Sequence, residues 1–303
     1  MASKVKRPSS PLQARMIEDM TARGLQAKTQ TGHIRSCRRF AKWLGRSPDT
    51  ALPEDVRLFQ LHLSASGTSN QTRNMVMSGV KFLFRTTLRR HDLVAEIFYV
   101  GEPQKLPPVM SREEIATLLG AAKTLKAKAM LSLAYGCGLR AGEVCRVTVG
   151  DIDSGQGIIR IIQSKGRKDR HVMLSDGLLD LLRQYWPERS KRHDTGIRPE
   201  QRYLFPGRAG PMTTRQLNRL FHEARQEAGI TKPVNTRTLR HSFATHLLEA
   251  GVDVRVIQAL LGHANPLSTA RYTRVATGLI ARLSSPIDLL NAPPDTENGE
   301  NKT

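Results

Sequence analysis

The sequence predicts a mainly α-helical protein with one small β-sheet, organised as two domains. Three observations carry that expectation. Apolar residues recur at helical spacing through most of the chain, as in Ile34, Cys37, Phe40, Ala41 and Leu44. A single segment reads as strand, turn and return strand: Ile158 to Ile162, then S-K-G-R-K-D, then His171 to Leu174. Between residues 99 and 109 the run Y-V-G-E-P-Q-K-L-P-P-V carries three prolines and no helical period. Proline keeps such a stretch extended and out of either neighbouring helix, so it reads as an interdomain linker. A length of 303 residues exceeds the usual single domain and agrees with two.

Residues 1–10 are basic, contain Pro and Ser, and read as a flexible lead-in. The first domain is expected over 11–98, all helical. Its first helix runs from Pro11 to about Gly24, with Leu12, Met16, Ile17 and Met20 on one face. The second runs from Ala27 to Leu44. A third opens at Pro53 with Glu54 and Asp55 in its first turn, where the helix dipole favours acids. A fourth is expected from Ser69 to Arg90, with Val76, Val80, Leu83, Phe84 and Thr87 as its stripe.

The second domain is expected over 110–290. S-R-E-E places Ser111 at an N-cap and Glu114 three residues on, a capping box opening a helix to about Lys123. Another helix spans Leu125 to Tyr135. G-C-G-L-R-A-G-E then forces a tight bend before a short helix carrying Arg140 and Glu143. After the strand pair come a helix from Asp176 to Trp186, a charged loop over 187–200 and a helix from Thr214 to Ala228. Two helices follow between Arg237 and Gly262, and one more is expected over 275–284. Residues 291–303 are polar and aperiodic and read as a disordered tail.

Forty-seven basic residues against 27 acidic give a formal charge of +20. Such an excess costs self-repulsion and is best explained by a polyanionic partner, with nucleic acid leading. A membrane is the weaker candidate, because no long apolar run exists and the cations are spread along the chain. In the first domain Arg35, Arg38, Arg39, Lys42, Arg73 and Lys81 are candidate DNA contacts; in the strand-pair turn, Arg167, Lys168 and Arg170 are. Cys37, Cys137 and Cys145 show no metal-ligand spacing and suit buried thiols in a reducing compartment. With no apolar signal core at the start, the expected location is the cytoplasm.

Five residues stand out for chemistry. Arg140 follows the glycine bend, Lys165 sits in the turn, Arg240 lies early in a helix, His263 follows Gly262, and Tyr272 comes nine residues later. Singly, each has a plain structural reading: Arg140 could pair with Glu143, Lys165 could be a solvated turn lysine, Tyr272 could be half-buried. Together they resemble the tyrosine recombinase (phage integrase) superfamily, most closely its Xer-like and mobile-element-associated members. The resemblance runs from about Pro11 to Leu290. It rests on G-L-R-A-G-E, on S-K-G-R-K-D-R, on T-L-R-H-S-F-A-T-H-L-L-E-A-G, and on L-L-G-H followed by S-T-A-R-Y-T-R-V.

The resemblance implies a helical SAM-like core-binding domain and a mixed α/β catalytic domain, forming a C-shaped clamp on DNA. It implies Tyr272 as nucleophile on the scissile phosphate, Arg140, Arg240 and His263 as phosphate donors, Lys165 as general acid and Glu143 as support for Arg140. Elementary chemistry agrees. A tyrosine with a reference pKa of about 10 needs cations to favour phenolate, and guanidinium donors match phosphate oxygens. The arginines supply positive charge, so neither metal nor other cofactor is expected. The implied partners are double-stranded DNA with inverted repeats and, on it, a homotetramer. In that assembly the C-terminal segment, carrying Val275, Leu279, Ile280 and Leu283, docks on a neighbouring subunit. A second recombinase as partner stays open.

One position departs from the family. Three residues before the second arginine stands Arg237, where histidine is usual. Arginine donates to phosphate but accepts no proton, so a general base there is in doubt and a decayed recombinase is an alternative. A type IB topoisomerase that nicks and reseals alone is another. A third is a non-enzymatic regulator, because Phe243 through Gly262 reads as helix–turn–helix.

Overall fold

The computed structural model describes residues 10–102, 107–162, 169–191, 194–208 and 210–262. The chain divides into two compact units, Met1–Gln104 and Lys105–Thr303.

The first unit packs five helices around an apolar centre: α1 (Pro11–Ala22), α2 (Ala27–Leu44), α3 (Pro53–Ala65), α4 (Asn70–Phe82) and α5 (His91–Ala95). Phe40 on α2 meets Phe59 edge-on at 5.0 Å and Phe84 at 5.7 Å, with Met16, Met20, Leu63 and Val80 closing the core. Helices α2 and α4 approach closely at Gly79. A Cβ there would lie 2.6 Å from that of Ser36, so glycine sets their spacing.

Two features differ from expectation. The helix from Ser69 does not reach Arg90 as one α-helix: at Leu83–Leu88 it widens into a π turn, which ends at Arg89 in the left-handed region, φ 55°. Leu83, Phe84 and Thr87 are all buried there. The chain then turns into α5, too short for any period to register in sequence. The expected linker also starts late. Asn74 exchanges two hydrogen bonds with Val100, and Asn70 donates to Gly101 O, so both residues belong with α4.

The second unit contains α6 (Arg112–Gly120), α7 (Leu125–Gly136), α8 (Ala141–Arg146), a three-stranded sheet, α9 (Asp176–Tyr185), α10 (Thr214–Glu227), α11 (Thr236–Glu249) and α12 (Val254–Leu261). Helix α7 buries Ala127, Ala129, Met130, Leu131, Leu133 and Ala134 over more than half of its circumference and packs against α6, α8, α9, α10 and α11. The capping box opens α6 as expected: Ser111 Oγ accepts from Glu114 N and the Glu114 carboxylate from Ser111 N.

The sheet is antiparallel in the order β1 (Ile152–Asp153), β2 (Ile158–Ile161), β3 (Arg170–Met173). Sequence reading misses β1, which has only two residues to alternate. It also starts β3 one residue late. Ile159 pairs with Val172 and Ile161 with Arg170, which puts Arg170 on the same inward face as Val172. Among the described residues no helix is long and apolar enough to cross a membrane. The helix expected over 275–284 and the tail lie outside the described residues.

Candidate active site

The glycine bend after α7 sets the first arginine. Gly138 takes φ 58°, and a Cβ on it would lie 2.4 Å from Phe243 Cδ1 of α11. Only glycine lets this bend press against α11. The bend delivers Arg140 to the N-cap of α8, where Glu143 sits three residues on. Glu143 Oε2 accepts from the backbone N of Arg140 at 2.9 Å, and Oε1 accepts from its Nη1 at 2.8 Å. The pairing that served as the plain reading of Arg140 is present. It leaves the arginine side chain 29% exposed.

Arg240 comes from α11, whose N-cap Asn235 accepts from Arg237 N. Its side chain is buried and donates through Nη1 to Gly138 O at 2.7 Å and through Nη2 to Leu261 O. Leu261 ends α12, and Gly262 closes the helix at φ 61°. The final two carbonyls of α12 and that of its cap meet guanidinium groups: Leu260 O meets Arg170 Nε at 2.7 Å, Leu261 O meets Arg240, and Gly262 O meets Arg140 Nη2 at 3.4 Å. A helix C-terminus leaves such carbonyls without partners and carries partial negative charge, so cations are favoured at it. Gly262 is the residue before His263.

Glu143 is the hub. Arg170 donates to both of its oxygens, and Arg240 Nη1 stands 4.0 Å from Oε2. Burial pushes the Glu143 carboxyl upward. The hydrogen bonds and charge of Arg170, then the backbone and side chain of Arg140, outweigh burial and hold it at about 2. One buried carboxylate thus orients arginines from α8, β3 and α11 together.

Arg170 is a correction. Sequence grouped it with the solvent-facing DNA contacts of the turn, but its side chain is buried, 6% exposed, and spent on Glu143 and Leu260. The signal was present in the strand alternation, since Arg170 shares its face with Val172. The other cations fall variously. Arg35 and Lys42 are exposed; Arg38 is exposed and donates to Gln13 Oε1. Arg39 donates to Thr68 Oγ1 and Arg73 to Ser64 Oγ. Lys81 lies over the Tyr99 ring at 5.2 Å. Arg237, one helical turn before Arg240 on α11, is exposed, and its side chain makes no hydrogen bond or ion pair among the described residues. Lys165, Arg167, Lys168, His263 and Tyr272 lie outside the described residues.

The helix–turn–helix shape exists: α11, a turn at Gly251 (φ 83°), then α12. Its second helix carries Arg255 as its sole cation and exposes Val256, a poor surface for a DNA groove. Cys37, Cys137 and Cys145 are buried as expected.

Sequence comparison extends the picture. A profile described as the phage integrase family matches residues 108–278, and one described as a phage integrase N-terminal SAM-like domain matches 12–91. A Sinorhizobium fredii protein designated integrase/recombinase y4qK is 40% identical over 291 residues, 95% of this chain and 92% of its own. Tyrosine recombinase XerA of Thermococcus kodakarensis is 35% identical, over 78% of this chain and 81% of its own. By fold, the chain is similar to a lambda integrase dimer bound to a core site, with TM-score 0.69 and 18% identity over 86% of this chain and 93% of that one. It is also similar to the XerH site-specific recombinase bound to a palindromic difH substrate, with TM-score 0.68 and 20% identity over 88% of this chain and 82% of that one.

Proposed function

Because the chain belongs to the phage integrase family and is a site-specific tyrosine recombinase, we propose that it cleaves and rejoins duplex DNA through Tyr272. The phenol oxygen attacks the scissile phosphorus, the bond from phosphorus to the 5′ oxygen breaks, and a 3′-phosphotyrosyl ester forms. The departing oxygen takes a proton from the Lys165 ammonium, and the phenol proton passes to water. Attack by the 5′ hydroxyl of a partner strand reverses the step, and two rounds pass through a Holliday junction. Arg140, Arg237, Arg240 and His263 donate to the non-bridging oxygens, where charge grows in the transition state.

What supports this reading is a convergence of distant segments. Arg140 and Arg240 both reach the end of α12, at Gly262 O and Leu261 O, immediately before His263. The exposed Arg237 stands one turn from Arg240 on the same helix. The substrate is a duplex with inverted repeats around a short spacer, held by the first unit through Arg35, Arg38, Arg39, Lys42 and Arg73. Four copies assemble on two such duplexes, each C-terminal segment docking on a neighbour.

A nicked suicide duplex carrying the repeats that flank the gene tests the reading. Wild type should form a covalent complex that survives a denaturing gel. Tyr272→Phe should bind the duplex and form none. Covalent product from the Phe variant would sink the assignment.

A further inference from the structure

The first unit has a hollow of about 650 Å³ between the end of α1, the start of α2, the end of α4 and the π turn. Arg23, Lys81, Arg85 and Arg89 line it with His33 and His91; Asp19 is its single acid. Asp19 faces Arg23 at 3.9 Å, which leaves the other three cations without an acid. The side chains of Arg85 and Arg89 make no hydrogen bond or ion pair among the described residues. Lys81 is held only over the Tyr99 ring.

Two backbone irregularities serve this hollow. The π turn carries Arg85, and its end leaves Arg89 as the one described non-glycine residue at positive φ. Glycine or asparagine fits that conformation at least cost, yet the chain keeps arginine. Strain retained at an exposed residue whose side chain makes no hydrogen bond or ion pair among the described residues points to use of that side chain. The hollow is also not part of the α2 cation stripe. At about 100° per residue, His33 sits roughly 160° around α2 from Arg35.

We propose that this hollow is a phosphate-binding site, separate from the α2 stripe, with Arg85 and Arg89 as its paired guanidinium donors and Lys81 as a third charge. Planar guanidiniums with free donors match phosphate oxygens bidentately, and three cations outweigh the repulsion from Asp19, which Arg23 already offsets. The phosphates come either from a DNA backbone or from a free phosphate-bearing anion.

The test uses the full-length chain labelled at histidine, with His33 and His91 signals assigned by His33→Gln and His91→Gln. Inorganic pyrophosphate and a duplex of arbitrary sequence are titrated separately. A saturable shift of both signals with pyrophosphate alone identifies a free anion. A shift with the duplex identifies backbone phosphates, and the slope of log affinity against log salt should then fall by about two in Arg85→Gln/Arg89→Gln. Either shift should vanish in that double variant and weaken in Arg89→Gly, which relieves the backbone and so keeps the fold. Signals that stay put for both probes, or that move equally in the double variant, would overturn the proposal. Neither probe involves strand cleavage, so the result is independent of the Tyr272 assignment.

Discussion

Arg170 grips Glu143 with both ends of its guanidinium, Nη2 to Oε2 at 2.7 Å and Nη1 to Oε1 at 3.1 Å, while its Nε holds the carbonyl of Leu260. It therefore ties β3 to the carboxylate that orients Arg140. Arg170→Met leaves that carboxylate short of a partner and should cost roughly 3–5 kcal/mol in urea unfolding. Arg170→Lys recovers the charge but not the fork, and should fall between. Single-turnover cleavage should slow in both variants while DNA affinity stays near wild type. The reverse pattern, lost affinity with unchanged cleavage rate, would make Arg170 a DNA contact after all.

The pH dependence of stability follows from Glu143. Its folded carboxyl is held at about 2, below the ordinary value of 4.5. The stabilisation is therefore fully present above pH 4.5 and is lost as pH falls from there towards 2. It amounts to roughly 3 kcal/mol for this buried group. Unfolding midpoints measured across that window should fall more steeply for wild type than for Glu143→Gln.

Gly138 and Gly142 lie four residues apart and should answer opposite ways to alanine. At Gly138 the new Cβ meets the Phe243 ring at 2.4 Å in a left-handed backbone, and the change should cost about 1–3 kcal/mol. At Gly142, inside α8, the nearest atom is the flexible end of Arg146 at 3.3 Å, and alanine should be neutral or stabilising by up to about 1 kcal/mol. Thermal melts of the two variants check both signs.

Arg237 separates stability from chemistry. Exposed and unbonded among the described residues, its loss should change stability by less than about 0.5 kcal/mol. Arg237→Ala should still lose roughly tenfold to a thousandfold in cleavage, as removal of one transition-state donor does. Arg237→His should stay within about tenfold of wild type. An inert wild type beside an active histidine variant would mean that arginine abolishes the chemistry here.

Much of this site is written locally. The i, i+3 pairing of Arg140 with Glu143, the caps of α6 and the helices themselves rest on near neighbours, so spacing reveals them. Other features rest on distant partners. The π turn hides because V-K-F-L-F-R-T-T-L keeps a helical apolar rhythm, and only the packed core decides where the turn widens. The inward Arg170 is missed by a strand begun at His171; carried back one residue, the alternation puts Arg170 on the face of Val172, and only the fold shows that Glu143 meets it there. The arginine–carbonyl contacts at the end of α12 could not be read at all, since no pattern within α12 announces them.

Those contacts have a consequence for how the molecule opens. Helix α12 has eight residues, too few to persist alone, and its end is fastened to α8, β3 and α11 by guanidinium groups. It should therefore open only in the same cooperative event as α11, and amide exchange at Ile257 and Leu261 should match the slowest of that unit. Heating would then find no partly melted form in which β3 has let go and α12 still stands. Loss of catalytic competence and unfolding of the second unit should share a single midpoint.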